Sequence, residues 1–226
     1  MSWRQEAGLW LQAALQLVLP AHCPGCGAEM DQTGAWCADC LREAWRPRRL
    51  DVRGRGMRHV DACQVLTGYE GAVRTLLHGL KFSGRRGNAA PLAWLLSLAD
   101  GEELGGLKIS GALAVPVPLS EERLEARGYN QVELLFSGWC AEHGCDWRPK
   151  ALTRLRPTQP QWELDKTERR SNMKGAFMAT RPEWIQNQAV LLVDDIVTTG
   201  CTLEECASAL KKAGADSVDA LIIAGG

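Results

Sequence analysis

The sequence predicts an α/β domain on a largely parallel sheet, preceded by a small metal-stapled module. Three observations carry this. Ala189 to Val193, Thr202 to Ala213 and Val218 to Ile223 read as strand, helix and strand, the length of a βαβ unit. Ala112 to Val117 is a short apolar run before prolines, as in a strand buried on both faces. Four of the nine cysteines stand in two tight pairs, Cys23 with Cys26 and Cys37 with Cys40. With 226 residues the chain can build one good core plus a small extra module.

The elements follow in order. Residues 1–20 form an amphipathic helix, with Trp3, Trp10, Leu11, Leu15 and Val18 on one side and Pro20 ending it. The apolar stretch within it is about 12 residues, too short to span a bilayer. Arg4 is offset by Glu6, so the basic start of a signal peptide is lacking. Residues 21–58 comprise the cysteine module and a polar basic linker from Pro47 to Arg58. A single domain is expected over 59–226. Within it Val60 to Tyr69 has strand character, Gly71 to Phe82 is a helix with Val73, Leu76, Leu77 and Leu80 on one side, and Asn88 to Leu98 is a second helix. Tyr129 to His143 is helical, and Thr153 to Lys174 is long and polar, a candidate mobile loop.

Net charge is −1, so no global field draws nucleic acid or an anionic membrane. The local exception is Arg42, Arg46, Arg48, Arg49, Arg53, Arg55 and Arg58, for which a solvated linker is the plainer reading. An odd cysteine count with two close pairs suits reduced thiols and a metal, and points to the cytoplasm.

Cys23-x2-Cys26, ten residues, and Cys37-x2-Cys40 place four thiolates where one tetrahedral Zn²⁺ can take them at about 2.3 Å. Gly25 and Gly27 allow the tight turn. Four thiolates leave no open position, so this zinc is structural. The alternative is a set of unliganded thiols or a redox pair.

The segment Val190 to Thr202 carries the chemistry. Apolar residues lead to Asp194 and Asp195 at the carboxyl end of a strand, the edge where open α/β sheets bind ligands. Small residues then open a helix whose first N–H groups suit a phosphate. Thr198, Thr199 and Thr202 add hydroxyls, and Gly200 permits close approach. Both acids are expected to bend toward a ribose diol; the plainer reading is helix capping. A His-centred triad and a Gly-rich P-loop with Lys are lacking, which ranks hydrolase and ATPase readings low.

This segment resembles the phosphoribosyl-diphosphate signature of type I phosphoribosyltransferases. Further segments narrow the likeness. Ala114-Val-Pro-Val-Pro-Leu-Ser, Arg123, and Arg127-Gly-Tyr-Asn-Gln131 resemble an element of the ComF/GntX family. So do Leu152, Arg154, Arg156, Thr158 and Gln161, followed by Arg169, Arg170, Asn172, Ala176 and Phe177, with the arginine-to-asparagine spacing off by one. With the cysteine knuckle, the resemblance runs from Cys23 onward and excludes the N-terminal helix.

The resemblance implies a type I phosphoribosyltransferase-like sheet flanked by helices, with a zinc-ribbon-like N-terminal module. It implies that phosphoribosyl diphosphate is bound with Mg²⁺ and transferred to an unidentified acceptor. Asp194 and Asp195 would contact the ribose hydroxyls, and Ile196, Val197, Thr198, Thr199, Gly200, Cys201 and Thr202 would hold the 5′-phosphate. Leu119 and Ser120 would offer amides to the diphosphate, with Arg123, Arg127 and Lys81 as cationic partners. Arg170 and Asn172 are the preferred residues of a closing loop. For Arg123 and Arg127 the alternative is pairing with Glu121, Glu122 or Glu125; for Lys81 it is a surface helix end. The second function class is an accessory DNA-uptake or competence protein that keeps the ligand site, with single-stranded DNA or DNA-uptake proteins as partners.

Overall fold

The computed structural model describes residues 21–155 and 174–226. The expected N-terminal helix and most of the expected mobile loop, including Arg156, Arg169, Arg170 and Asn172, lie outside the described residues.

Six strands form the central sheet: β3 (Trp45–Arg49), β4 (Ala62–Gly68), β5 (Leu113–Pro116), β6 (Asp146–Trp147), β9 (Ala189–Val197) and β10 (Ser217–Gly225). Their order is β3-β4-β10-β9-β5-β6, and only β3 runs antiparallel to its neighbour. β10 pairs with β9 from Ser217↔Ala189 through Ile222↔Asp194 to Gly225↔Val197. The central strands are covered on both faces, which is why they read as continuous apolar runs.

Side chains alternate along β9. Val190 and Leu192 meet one core, with Leu203, Cys206, Ala207 and Leu210 of α7 (Cys201–Lys212). Leu191 and Val193 meet the other, with α2 (Gly71–Phe82), α3 (Ala89–Ser97) and α5 (Gln131–Glu142). The helix expected from Tyr129 starts two residues later for a local reason. Gly128 caps α4 (Glu121–Arg127) in the left-handed region at φ 74°, and Asn130 then caps α5 by accepting from the Val132 N–H at 3.0 Å.

The cysteine module holds a hairpin of β1 (Ala21–His22) and β2 (Glu29–Met30), then α1 (Ala38–Ala44). It docks on the face of α2 and α3: Trp36 is buried and its Nε1 donates to the Pro91 carbonyl at 3.0 Å.

Pro47 to Arg58, expected as a solvated linker, is built into the domain. Its start lies in β3, an edge strand with a register shift between Trp45 and Arg48, where Pro47 is tolerated. Leu50, Val52 and Met57 are buried in the α7-side core. Arg48 donates to the carbonyls of Thr67 at 3.2 Å and Gly225 at 2.6 Å. The arginines thus satisfy carbonyls at the carboxyl edge of the sheet, while three isolated apolar residues anchor the segment.

The expected loop from Thr153 begins inside a strand. β7 (Leu152–Arg154) pairs antiparallel with β8 (Phe177–Ala179), and Leu152 and Phe177 pack into the α7-side core. A short helix, α6 (Pro182–Ile185), leads into β9.

Candidate functional site

The zinc module gathers its ligands without rearrangement. The Sγ atoms of Cys23, Cys26, Cys37 and Cys40 all lie within 4.8 Å of one another, with Cys26 and Cys37 at 3.7 Å. A tetrahedral zinc with bonds of about 2.3 Å needs sulfurs roughly 3.8 Å apart, so the donor set fits. A Cβ at Gly25 would stand 2.6 Å from the Cys40 sulfur, so glycine there is a packing requirement. Burial opposes ionisation of Cys23, but N–H groups of Cys37, Cys26 and Gly25 aimed at its sulfur prevail and bring its pKa down to about 6. That favours the thiolate a metal needs.

At the other end of the domain, β9 continues past the two aspartates to Val197. The acids therefore lie within the strand and do not bend toward a common side. Asp194 lies toward Cys63 and Cys206 on the α7 side, where its charge helps to push both thiols up, behind the larger effect of burial. Asp195 turns to α2 and pairs with Lys81, Oδ1 to Nζ 2.8 Å. The Asp195 N–H donates to Asp194 Oδ1 at 2.8 Å. Burial raises the Asp194 pKa well above the usual carboxylate range, and the charge of Asp195 adds to this. Lys81 and the Asp195 N–H act in the other direction.

Asp195 is 2% exposed, yet among the described residues its Oδ2 has no hydrogen-bond partner. A buried, unpaired carboxylate oxygen is costly and marks a place where a ligand's donor belongs. Close by stands Arg127, whose pKa burial lowers while Asp195 raises it. Its guanidinium donates to Gln131 Oε1, and its Nε is buried without a partner among the described residues. Tyr129 fixes this corner. Its hydroxyl donates to the Leu80 carbonyl at 2.5 Å, and Arg86 stacks over its ring at 4.6 Å.

The loop after β9 is shorter than expected. Ile196 and Val197 are still strand, and Cys201 and Thr202 are already helix, which leaves Thr198 to Gly200 as the turn. Gly200 adopts φ 81°, and a Cβ there would meet Met57 Sδ at 2.5 Å. Arg55 braces the turn from outside, donating to the Thr198 carbonyl at 2.5 Å and the Gly226 carbonyl at 3.0 Å. Arg55 thus takes one carbonyl of the turn, and within the turn the Cys201 N–H at the start of α7 donates to Thr199 Oγ1 at 3.5 Å, at a helix N-terminus of the kind that suits an anion. A groove of about 380 Å³ adjoins it, lined by Arg55, Met57, His59, Thr199, Cys201 and Glu204 among others. His59 is held there by Glu204, Nδ1 to Oε1 2.7 Å and backbone N–H to Oε2 3.0 Å.

Leu119 and Ser120 precede α4, with Ser120 buried as its N-cap. Arg123 is exposed on that helix. Among the described residues neither Arg123 nor Arg127 forms an ion pair with Glu121, Glu122 or Glu125. Lys81 is not a bare helix end, because its ammonium is committed to Asp195. Arg170 and Asn172 lie outside the described residues. The structure thus joins Lys81, Arg127 and Asp195 in one corner and Thr198 to Thr202 in another. Met57 and His59 are additions that the sequence did not single out, hidden in or beside the basic run. Arg55 and Tyr129 stood in the basic run and in the Arg127-to-Gln131 element without a site role of their own.

Residues 155–225 match the phosphoribosyl transferase domain model, and residues 14–64 match the double zinc ribbon domain model. The chain is 33% identical over 198 residues to the DNA utilization protein YhgH of Escherichia coli K12, covering 87% of this chain and 80% of that one. It is 30% identical over 205 residues to competence protein F of Haemophilus influenzae, covering 87% and 81%. It is 32% identical over 195 residues to competence protein ComFC of Bacillus subtilis, covering 85% and 72%. Among the described residues no helix is long and apolar enough to cross a membrane.

Proposed function

The chain belongs to the ComF/GntX family, with a phosphoribosyltransferase domain behind a four-cysteine zinc ribbon, and from that premise we propose that it binds phosphoribosyl diphosphate with Mg²⁺ and transfers the phosphoribosyl group to an acceptor. The observation that carries this reading is the buried Oδ2 of Asp195, without a partner among the described residues, on a strand that runs on into a three-residue turn and a helix. A sugar hydroxyl answers the first and a 5′-phosphate the second.

In the transfer, the bond from C1 to the diphosphate oxygen breaks with its electron pair leaving on the diphosphate. A bond from the nucleophile to C1 forms, and the nucleophile gives up its proton. The turn from Thr198 to Thr202 would seat the 5′-phosphate, and Asp195 would accept from the ribose hydroxyls. Arg127, Arg123 and the amides of Leu119 and Ser120 would face the departing diphosphate, where developing negative charge rewards preorganised donors. Magnesium, when bound, neutralises diphosphate oxygens. The hard oxygens of Asp195 would suit its water shell, whereas Asp194 faces the α7 side and is held toward its neutral form by burial.

The names of the relatives favour a second reading, an accessory role in DNA utilisation or competence that keeps the ligand site. A direct contact through the basic run has little support. Arg42 pairs with Asp39, Arg46 with Glu70, and Arg48, Arg53 and Arg55 bind backbone carbonyls. Such a role would more naturally run through a partner protein.

Calorimetry with phosphoribosyl diphosphate and Mg²⁺ tests the site. Asp195→Ala should weaken binding about 10- to 100-fold, the worth of a hydrogen bond to a charged group. Absence of heat from the wild type would remove the ligand reading. Diphosphate release against a panel of bases and amines then separates transferase from binder.

A further inference from the structure

The ion pair of Lys81 and Asp195 occupies the place that a ribose diol must reach. Lys81 stands in the last turn of α2, its side chain 19% exposed against 3% for Asp195. The end of α2 is pinned by the Tyr129 hydroxyl on the Leu80 carbonyl, so the lysine stem starts from a fixed point. Of the two Asp195 oxygens, Oδ1 accepts from the ammonium and Oδ2 has no partner among the described residues. A vicinal diol that takes both oxygens of this carboxylate sets one hydroxyl on Oδ2 and the other on Oδ1, where it competes with the ammonium. A cation drawn off a buried carboxylate keeps its desolvation cost and loses the attraction that offset it. Arg127 stands in the same corner, half-buried and close enough to Asp195 to feel its charge, and offers Lys81 no anion. Asp194, the other acid nearby, favours its neutral form through burial. The displaced ammonium regains a partner only when the ligand brings its own anion next to the diol.

We infer, on the basis of the phosphoribosyl-diphosphate reading, that Lys81 is a specificity-determining residue: it makes diol recognition at Asp195 conditional on a diphosphate at C1, so that ribose 5-phosphate is rejected. The lysine is a lock on the empty site and a partner of the diphosphate in the filled one. Sugar phosphates that carry the diol and the 5-phosphate alone compete with Lys81 for Asp195 Oδ1 and bring it no second anion.

The test is calorimetry in Mg²⁺ with two probes, phosphoribosyl diphosphate and ribose 5-phosphate, on the full chain and on Lys81→Met, Lys81→Gln and Lys81→Arg. In the charge-removing variants phosphoribosyl diphosphate should weaken while ribose 5-phosphate binds as well as before or better. The preference between them should shrink by about tenfold or more, the scale of one buried charge interaction. Lys81→Arg should keep the preference within about threefold, since it keeps the charge. Thermal unfolding and zinc content confirm the fold of each variant, and the glutamine variant is read in the same way if the methionine one fails to fold. Equal weakening of both probes would mean that Lys81 merely shapes Asp195, and would overturn the inference. So would loss of ribose 5-phosphate binding in the charge-removing variants alone. A wild type that binds neither probe removes the phosphoribosyl reading itself, and this inference with it.

Discussion

Gly200→Ala should damage the phosphate turn by two separable routes, and the structure gives the size of each. The residue sits at φ 81°, in the left-handed region, where an L side chain costs about 1–2 kcal/mol. Its new Cβ would stand 2.5 Å from Met57 Sδ, 3.1 Å from Cγ and 3.3 Å from Cε. Met57 is 1% exposed and lines the adjoining groove, so its thioether can give only by repacking there, and overpacking of this kind costs about 1–3 kcal/mol. The sum is a destabilisation of about 2–5 kcal/mol. Met57→Ala alone should cost about 2–5 kcal/mol by leaving a cavity. Once that cavity exists, the clash at Gly200 disappears and only the backbone cost of about 1–2 kcal/mol remains. Urea denaturation of the wild type, both single variants and the double variant, in zinc-containing buffer, measures the coupling directly. The reasoning fails if Gly200→Ala costs the same in both backgrounds to within about 0.5 kcal/mol, because distant, independent sites add in that way.

Two other outcomes are expected. Chelation of zinc should release the module from the α2–α3 face, because four gathered thiols without a cation repel as they ionise. Metal analysis should give one zinc per chain, bound with an apparent free energy on the order of 10 kcal/mol. Hydrogen exchange across residues 21–44 should then rise while the central strands remain protected; unchanged exchange in the module would count against a structural metal. Asp194→Asn should stabilise the protein at neutral pH. The folded state raises the pKa of Asp194, chiefly by burial, so the unfolded chain is the better acid. Stability associated with this group is complete below the ordinary carboxylate pKa and is lost as pH climbs toward the raised one. The asparagine variant escapes that loss and can still accept the Asp195 N–H. Its advantage should grow from pH 4 upward in denaturation measured across pH, and an advantage that is flat with pH would refute the assignment.

Much of the architecture was legible because burial on two faces leaves a plain trace. The runs at Ala112 to Val117, Ala189 to Val193 and Val218 to Ile223 all became central strands, and Gly71 to Phe82 became a helix with those bounds. The short elements were not legible. β6 and β7 have two and three residues, and no period can be seen over so few. The basic run misled for a different reason. Its seven arginines look solvated, yet Arg48 and Arg55 are occupied by carbonyls at the sheet edge, and Met57 closes on Gly200. Those partners lie about 140 to 180 residues away in the chain, far beyond any local pattern.

By itself the sequence determined the chemistry on offer: four thiolates at metal spacing, and two acids followed by hydroxyls and a glycine. Local spacing suffices for that, because a C-x2-C turn and a strand–turn–helix junction bring their groups together without help from distant residues. Only the tertiary structure decided which of these groups are spoken for. Asp194 and Asp195 are one residue apart, but strand alternation sends one toward buried thiols and the other toward Lys81, 114 residues upstream. Burial and pairing are properties of what packs against a side chain, and that is settled by the fold as a whole.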